Sequence, residues 1–384
     1  MSFGKELVSV HESLGRILAK DILADTDLPP FNRVMMDGIA IRKEDFDKGH
    51  RTFALVGMQR AGDVQQTLSL SNTAIEVMTG AVLPLNTDVI VPYEQIEITD
   101  GVAVLQIEEV KHFQNVHAQG LDKKKGDVLV KEFTKLSAAE IGVAVSVGCV
   151  ELEVLKVPRI HIFSTGDELV EVNEQPLPHQ IRRSNVYALQ QLLKAQNIAA
   201  TQSHVNDEYN AILTALQKGL VENDIVLLTG GVSKGKYDLI PKALEECGVQ
   251  QLFHRIEQRP GKPMWFGKRG DKVVFAFPGN PVSTFMCAIR YLIPYLRKCL
   301  NQSSFEEVYL KLAEDFKPHP SLTFFAQVKL HYDKDGNAWA TPVGGNGSGD
   351  FSNLVYGDAF LEIPASDTTC LKGSVYKAFR YREF

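Results

Sequence analysis

The sequence predicts a multidomain α/β-plus-β protein. An αβα sandwich on a mostly parallel sheet stands between a β-rich N-terminal region and a small all-β C-terminal region. Three observations predict it. The 384 residues exceed what one hydrophobic core usually covers, so roughly two to four domains are expected. Residues 158–300 alternate short apolar runs with helical patterns, as strands do when helices cover both faces of a sheet. Residues 46–130 and 303–384 carry short alternating runs separated by turn residues, as β domains do.

Composition narrows the function classes. Hydrophobic residues make up 44% and charged residues 23%, values ordinary for a soluble globular chain. The net charge, 41 − 47 = −6, argues against a general nucleic-acid binder, which needs a basic balance or stripe. Cys149, Cys247, Cys287, Cys299 and Cys370 are scattered, odd in number and without a Cys-x-x-Cys, so neither a disulfide framework nor a zinc ribbon is expected. Residues 1–10 lack the basic flank and apolar core of a signal peptide. No window approaches about 18 uninterrupted apolar residues, so no membrane span is expected. A reducing cytoplasm fits these features.

Taken in order, residues 7–24 place Leu7, Val10, Leu14, Ile17 and Leu18 at helical spacing, and a helix is expected there. Pro29 and Pro30 force extended chain, and Asp37-Gly38 marks a turn before a strand. A carboxylate in that turn can coordinate a cation or orient a ligand, and it can equally cap its own backbone. Strands are expected at 53–56, 73–78, 89–91, 102–107 and 128–130, and Thr79 can donate to an anion. His117 reads as a surface histidine, since no second histidine sits at metal-ligand spacing, and Lys123–Lys125 as a solvated turn. Ser137 and Glu140 have capping-box spacing at the head of a short helix.

Beyond Pro158, residues 160–163 form a strand that runs into Ser164-Thr165-Gly166-Asp167-Glu168. Helices are expected at 185–197, opened by Ser184 or Asn185, and at 207–221, capped by Asn206 or Asp207. The buried run 225–228 opens into Thr229-Gly230-Gly231-Val232-Ser233-Lys234, and a helix follows from about Asp238. Glycines there permit positive φ and close approach to the main chain. A strand at 273–276 leads into Phe277-Pro278-Gly279-Asn280-Pro281-Val282-Ser283 and one long helix to Leu300. In the last region, strands are expected at 308–312, 324–330, 338–341, 359–363 and 374–379, with a flexible loop at 344–350.

Ligands of parallel α/β sheets sit at the carboxyl ends of the strands. Three strands end in loops rich in glycine and polar groups: 164–168, 229–238 and 278–283. They should open on one edge. N–H groups, Lys262 and Arg259 suit phosphate, and Asp167, Glu168 and Asp238 suit a divalent cation. This composition points to a phosphorylated ligand with a metal. Neither a Walker loop nor Gly-x-Gly-x-x-Gly occurs.

The motifs together have a family. Leu28-Pro29-Pro30-Phe31 with Met36-Asp37-Gly38, Met78-Thr79-Gly80-Ala81, Phe163-Ser164-Thr165-Gly166-Asp167-Glu168-Leu169, Thr229-Gly230-Gly231-Val232-Ser233 with Asp238, Pro260-Gly261-Lys262-Pro263, and Pro278-Gly279-Asn280-Pro281-Val282-Ser283 follow one another in register. In this the chain resembles the molybdopterin molybdenumtransferases, the group that includes bacterial MoeA and the gephyrin E-domain. The likeness runs from Val10 to about Pro364.

The resemblance implies insertion of molybdenum from molybdate into adenylylated molybdopterin, with AMP released and Mg²⁺ assisting. It implies an elongated homodimer whose site is completed by the partner subunit, and possible transfer partners in cofactor synthesis. It implies four domains: 1–45 with 126–155 as a discontinuous linker and dimer domain, 46–125 as a β-rich domain, 156–302 as the α/β molybdopterin-binding domain, and 303–384 as a small β-barrel-like domain. Carried over by motif, Asp37, Thr79, Asp122, Glu168, Asp238 and Lys262 would be catalytic. Ser164, Thr165, Gly166, Asp207, Gly230, Gly231, Ser233, Lys234, Arg259, Pro278, Gly279, Asn280, Pro281 and Ser283 would bind the pterin ligand. Glu168 and Asp238 are the candidate metal ligands, with metal ligation and hydrogen bonding both open for each.

Some positions depart from the family pattern. Val34, Met35 and Ile39 flank Asp37 where the family has Ser-Ala before Met-Asp-Gly and a Tyr after it. His117 and Leu121 replace an Arg and a Glu ahead of Asp122; Arg259 replaces a Lys; Arg183 stands where an Asp or Asn is common. Two alternatives belong to other classes. One is a molybdopterin adenylyltransferase, which shares the α/β domain but lacks the flanking regions. The other is a non-catalytic, gephyrin-like binding scaffold, against which the retained acids and lysine speak.

Overall fold

The computed structural model describes residues 3–232, 239–302, 307–318, 321–345 and 347–382. Ser233, Lys234 and Asp238, all expected at the site, lie outside the described residues. The chain divides into two compact units: Val8–Leu14 with Lys20–Leu152, and Met1–Leu7 with Gly15–Ala19 and Glu153–Phe384.

The first unit is built on a six-stranded sheet. Its strands are β1 (Gly38–Ile41), β2 (Thr52–Gln59), β3 (Thr73–Val77), β4 (Val89–Pro92), β5 (Ile96–Thr99) and β6 (Val102–Leu105), in the order β4-β1-β3-β2-β6-β5. Both faces of β1 are covered: Ile39 and Ile41 join one apolar cluster and Ala40 the other. A short ladder sets Arg33–Val34 antiparallel to Val116–His117, with His117 directly opposite Arg33. Helix α1 (Ala138–Ser146) starts with the capping box read from Ser137 and Glu140.

The helix expected over 7–24 does not form. The chain there is a strand at Lys5–Ser9, a single 3-10 turn at Val10–Glu12 and a strand at Ile22–Leu23. Gly15 takes φ +73°, and Ala19 N–H donates to the Glu153 carbonyl oxygen and Leu155 N–H to that of Ile17. Pairing with a distant strand overrides a weak local helical pattern.

The second unit holds the α/β layers. Its elements are β7 (Ile160–Thr165), α2 (Asn185–Lys194), β8 (Ala200–Val205), α3 (Tyr209–Glu222), β9 (Ile225–Thr229), α4 (Leu239–Glu246), β10 (Gln250–His254), β11 (Trp265–Arg269), β12 (Lys272–Phe277), α5 (Pro281–Cys287) and α6 (Ile293–Cys299). The sheet order is β8-β7-β9-β12-β11-β10; β8, β7, β9 and β12 run parallel, and β11 runs against its neighbours. Strand residues alternate between two cores. Ile160, Ile162, Ile225, Leu227 and Phe275 pack with α2 and α5, while Phe163, Val226, Leu228 and Val274 pack with α3 and α4.

The long helix expected to Leu300 is interrupted by a π turn, Ala288–Leu292, between α5 and α6. Pro294 has no N–H and its ring crowds the carbonyl four residues back, which widens the preceding turn. Helix α3 begins at Tyr209 with Glu208 as its cap residue, not Asn206 or Asp207. Strands β8, β10 and β11 are unpredicted; β8 and β10 are edge strands, partly solvated and polar in sequence, and β11 is a short run broken by Gly267 and Lys268, so none carries the apolar run that marks β9.

The C-terminal strands β13 (Val308–Leu312), β14 (Thr323–Tyr332), β15 (Ala338–Pro342), β16 (Ala359–Ile363) and β17 (Val375–Arg380) close into a small barrel. β14 pairs with β15 and β16, β15 with β13, β13 with β17, and β17 with β16. Leu310, Val328, Ala340 and Leu361 fill it. Gln258–Arg259 adds alongside the start of β14 and anchors the Pro260-Gly261-Lys262 loop.

Candidate active site

The chain runs from β7 outward to β8, then crosses back to β9 on the other side of β7. A crevice therefore opens between the loops after β7 and β9, the topological switch point at which open α/β sheets take their ligands. The register places Ser164 opposite Thr229, and Thr229 opposite Phe277, so the three strand-end loops leave the sheet at one level.

The floor of this crevice is packed backbone. Thr165 is 4% exposed, and its Oγ1 is buried without a hydrogen-bond partner among the described residues. Gly230 and Gly231 take φ +97° and +65°. A Cβ on Gly230 would lie 2.9 Å from the Thr165 carbonyl oxygen, and one on Gly231 2.6 Å from Ile240 Cγ1. Only glycine fits both the angle and the space. Gly230 N–H donates to the Phe277 carbonyl oxygen at 3.1 Å, which ties the β9 loop to the end of β12.

From β12 the chain passes Pro278, Gly279 and Asn280 into α5, with Pro281 in the first turn. Asn185 Nδ2 donates to the Gly279 carbonyl oxygen at 2.8 Å, and the Thr284 hydroxyl donates to that of Pro278. Asn280 makes no side-chain cap. Its Nδ2 donates to Ser348 Oγ at 2.8 Å, and Val282 N–H donates to the Ser348 carbonyl oxygen at 3.1 Å. A residue of the 344–350 loop thus covers the start of α5, a role with no signal in the sequence beyond the glycines around it. Ser283 is buried in the same turn.

The acids gather beside β7 and β8. The Glu168 carboxylate folds over Gly166, where an added Cβ would lie 2.5 Å from Oε2. Asp207 N–H donates to Asp167 Oδ1 at 3.1 Å. Burial, and then the charges of Asp167 and Glu168, hold the Asp207 carboxyl above its ordinary 3.8. Among the described residues no three His, Cys, Asp or Glu side chains are arranged to hold a metal ion. Ser164 is turned into the protein: it is 1% exposed, accepts from Arg183 Nη1 at 3.2 Å and lies 3.1 Å from His204 Nδ1. Arg183 is itself buried and paired with Glu171. Lys262 and Arg259 are exposed on the loop anchored to the barrel, where Gly261 packs on Cys287 and Gln258. A separate cavity of about 1410 Å³, lined by Gln196, Arg297, Lys298 and Phe379 among others, shares no residue with the strand-end loops.

In the other unit, Asp37 and Thr79 are joined directly. Asp37 Oδ1 accepts from Thr79 N–H at 2.7 Å and from Thr79 Oγ1 at 2.8 Å, and these two bonds hold its carboxyl below 3.8. Gly38 carries no side chain because a Cβ there would clash with the Val91 carbonyl. Asp122 accepts from His117 Nε2 at 2.9 Å, and His117 Nδ1 lies 2.9 Å from Arg33 Nη2. His117, read from sequence as a surface residue, is thus held between two charged groups. Arg33 carried no sequence signal, because its position opposite His117 depends on the ladder.

Comparisons with known proteins cover the whole chain. Residues 2–148 match the MoeA N-terminal region (domain I and II), 161–298 a probable molybdopterin binding domain, and 309–377 the MoeA C-terminal region (domain IV). A molybdopterin molybdenumtransferase of Synechocystis sp. is 36% identical, over 99% of this chain and 96% of its own length. One of Bacillus subtilis is 28% identical, over 98% of this chain and 90% of its own. The crystal structure of a molybdopterin biosynthesis MoeA protein from Pyrococcus horikosii superposes with a TM-score of 0.85 at 26% identity, covering 100% of this chain and 96% of that one. Fold and full-length likeness agree: the chain belongs to the molybdopterin molybdenumtransferase family.

Proposed function

We propose that this protein inserts molybdenum from molybdate into adenylylated molybdopterin and releases AMP. The observation that carries the reading is the convergence of the β7, β9 and β12 loops at the switch point, in a chain whose relatives along its full length are molybdopterin molybdenumtransferases. Matches at both ends disfavour the adenylyltransferase alternative.

In this reading the Gly230-Gly231 backbone and the Pro278–Pro281 turn receive the phosphorylated pterin, beside Thr165 Oγ1, which has no partner among the described residues. Lys262 and Arg259, with Lys234, offset phosphate charge. Asp37, Thr79 and Asp122, matched to the family by motif, are the remaining residues proposed as catalytic. Asp207 feels the charges of Asp167 and Glu168, a repulsion that a hard divalent cation would relieve, while the described residues alone supply no three-ligand set. Glu168 and Asp238 would hold Mg²⁺, which when bound polarises the phosphoanhydride. A homodimer belongs to the same reading, carried over from the family resemblance. The four-domain division belongs to the same reading. A cytoplasmic location belongs to the same proposal; no helix among the described residues is long and apolar enough to cross a membrane, and all five cysteines are free.

The test is AMP release from adenylylated molybdopterin by purified protein, with and without molybdate and Mg²⁺, alongside Glu168→Gln and Asp238→Ala. Molybdate-dependent release in the wild type, reduced about 100-fold in both variants, is expected. Bound substrate without release under any condition would establish a scaffold instead. Sedimentation equilibrium at the assay concentration checks the dimer, and a monomer that still turns over rules it out.

A further inference from the structure

We propose that His117 is a positioning residue for Asp122, locked in its neutral Nε2–H tautomer by Arg33. The proposal rests on the reading that Asp122 acts in the reaction. The frame around these side chains is set by backbone. Arg33 and His117 face each other across the antiparallel ladder, where side chains of opposed residues meet. The turn that returns the chain to Asp122 is pinned on the facing segment. Gly120 N–H donates to the Pro29 carbonyl oxygen at 3.0 Å, Asp122 N–H to that of Leu28 at 2.9 Å, and Gln119 N–H to Asn32 Oδ1 at 2.9 Å.

The tautomer follows from the donors. A guanidinium has five N–H donors and no acceptor. Arg33 Nη2, 2.9 Å from His117 Nδ1, therefore donates to it, and Nδ1 must present a lone pair. A neutral imidazole has one proton, so Nε2 carries it and donates to Asp122 Oδ1 at 2.9 Å. Every bond in the row Arg33, His117, Asp122 thus points the same way, and one carboxylate oxygen of Asp122 is fixed while the other is left to the reaction. The same strand serves the second acid: Val34 N–H donates to the Ala81 carbonyl oxygen and Gly80 N–H to that of Val34, at 2.9 Å each. Residues 33–34 are the shared support of the Thr79 loop and the Asp122 turn.

The experiment is ¹⁵N-histidine NMR of the full-length protein, with His117 assigned by the signal lost in His117→Gln, combined with the AMP-release assay. The Nε2–H tautomer is expected in the wild type and a mixture of tautomers in Arg33→Leu. Turnover in His117→Leu should fall about tenfold with little change in KM. It should recover in His117→Gln, whose amide both accepts and donates. An Nδ1–H tautomer, or a spectrum unchanged by Arg33→Leu, overturns the relay. Full AMP release by Asp122→Ala overturns the positioning role. The spectrum needs no turnover, so an inactive wild type counts against the functional reading and leaves the relay to be judged by NMR.

Discussion

The crevice at the end of β7 and β9 and the turn at Asp37 hold their candidate groups by opposite means. In the crevice the key atoms are packing atoms. Thr165 is buried, and Gly230 and Gly231 fit against its backbone and against Ile240. At the turn they are exposed side chains, with Asp37, Thr79 and Asp122 all open to solvent. The electrostatics differ as well. Burial and like charge raise Asp207, whereas two hydrogen bonds from Thr79 lower Asp37. Where chemistry and packing share atoms, substitution should damage both. Where they do not, chemistry alone should suffer, and His117 and Leu121 depart from the family pattern in that second setting.

The largest effect expected is in Gly230→Ala. Its φ of +97° and the close Thr165 carbonyl make an added Cβ strained by about 1–3 kcal/mol, so melting temperature and AMP release should fall together. A variant with unchanged melting would break the comparison. Next is Asp37→Asn, for which AMP release should drop about 100-fold, the size typical of losing one positioned polar group. Its melting curve should stay close to the wild type, because Asp37 is exposed and an Asn oxygen still accepts from Thr79, and a large loss of stability would put Asp37 with the crevice.

The smallest effects are titrations, read by carboxyl ¹³C NMR. Thr79→Val removes one of the two bonds to Asp37, so that pKa should move up toward 3.8. Asp37 is lowered in the folded state, so its contribution to stability is complete above 3.8 and is lost as pH falls through the folded value. Asp167→Asn should move Asp207 down toward 3.8. Asp207 is raised, so the folded state is penalised above its folded pKa and relieved as pH falls through it. Shifts of the same sign at both sites would remove the distinction.

The sequence by itself determined the alternation of strands and helices over 160–300, the capping box at Ser137 and the three loops at strand ends. These depend on local patterns: a doubly buried strand reads as an apolar run, and a loop that meets a ligand needs glycine and polar groups. Tertiary structure decided what depends on distant partners. It turned 7–24 from a helical pattern into extended chain, because residues near Glu153 offered pairing. It turned Ser164 inward to Arg183 and His204, and it set Ser348 over the start of α5. It also placed Arg33 opposite His117. No spacing rule reaches across a separation of 84 positions, because that contact exists only once the ladder has formed.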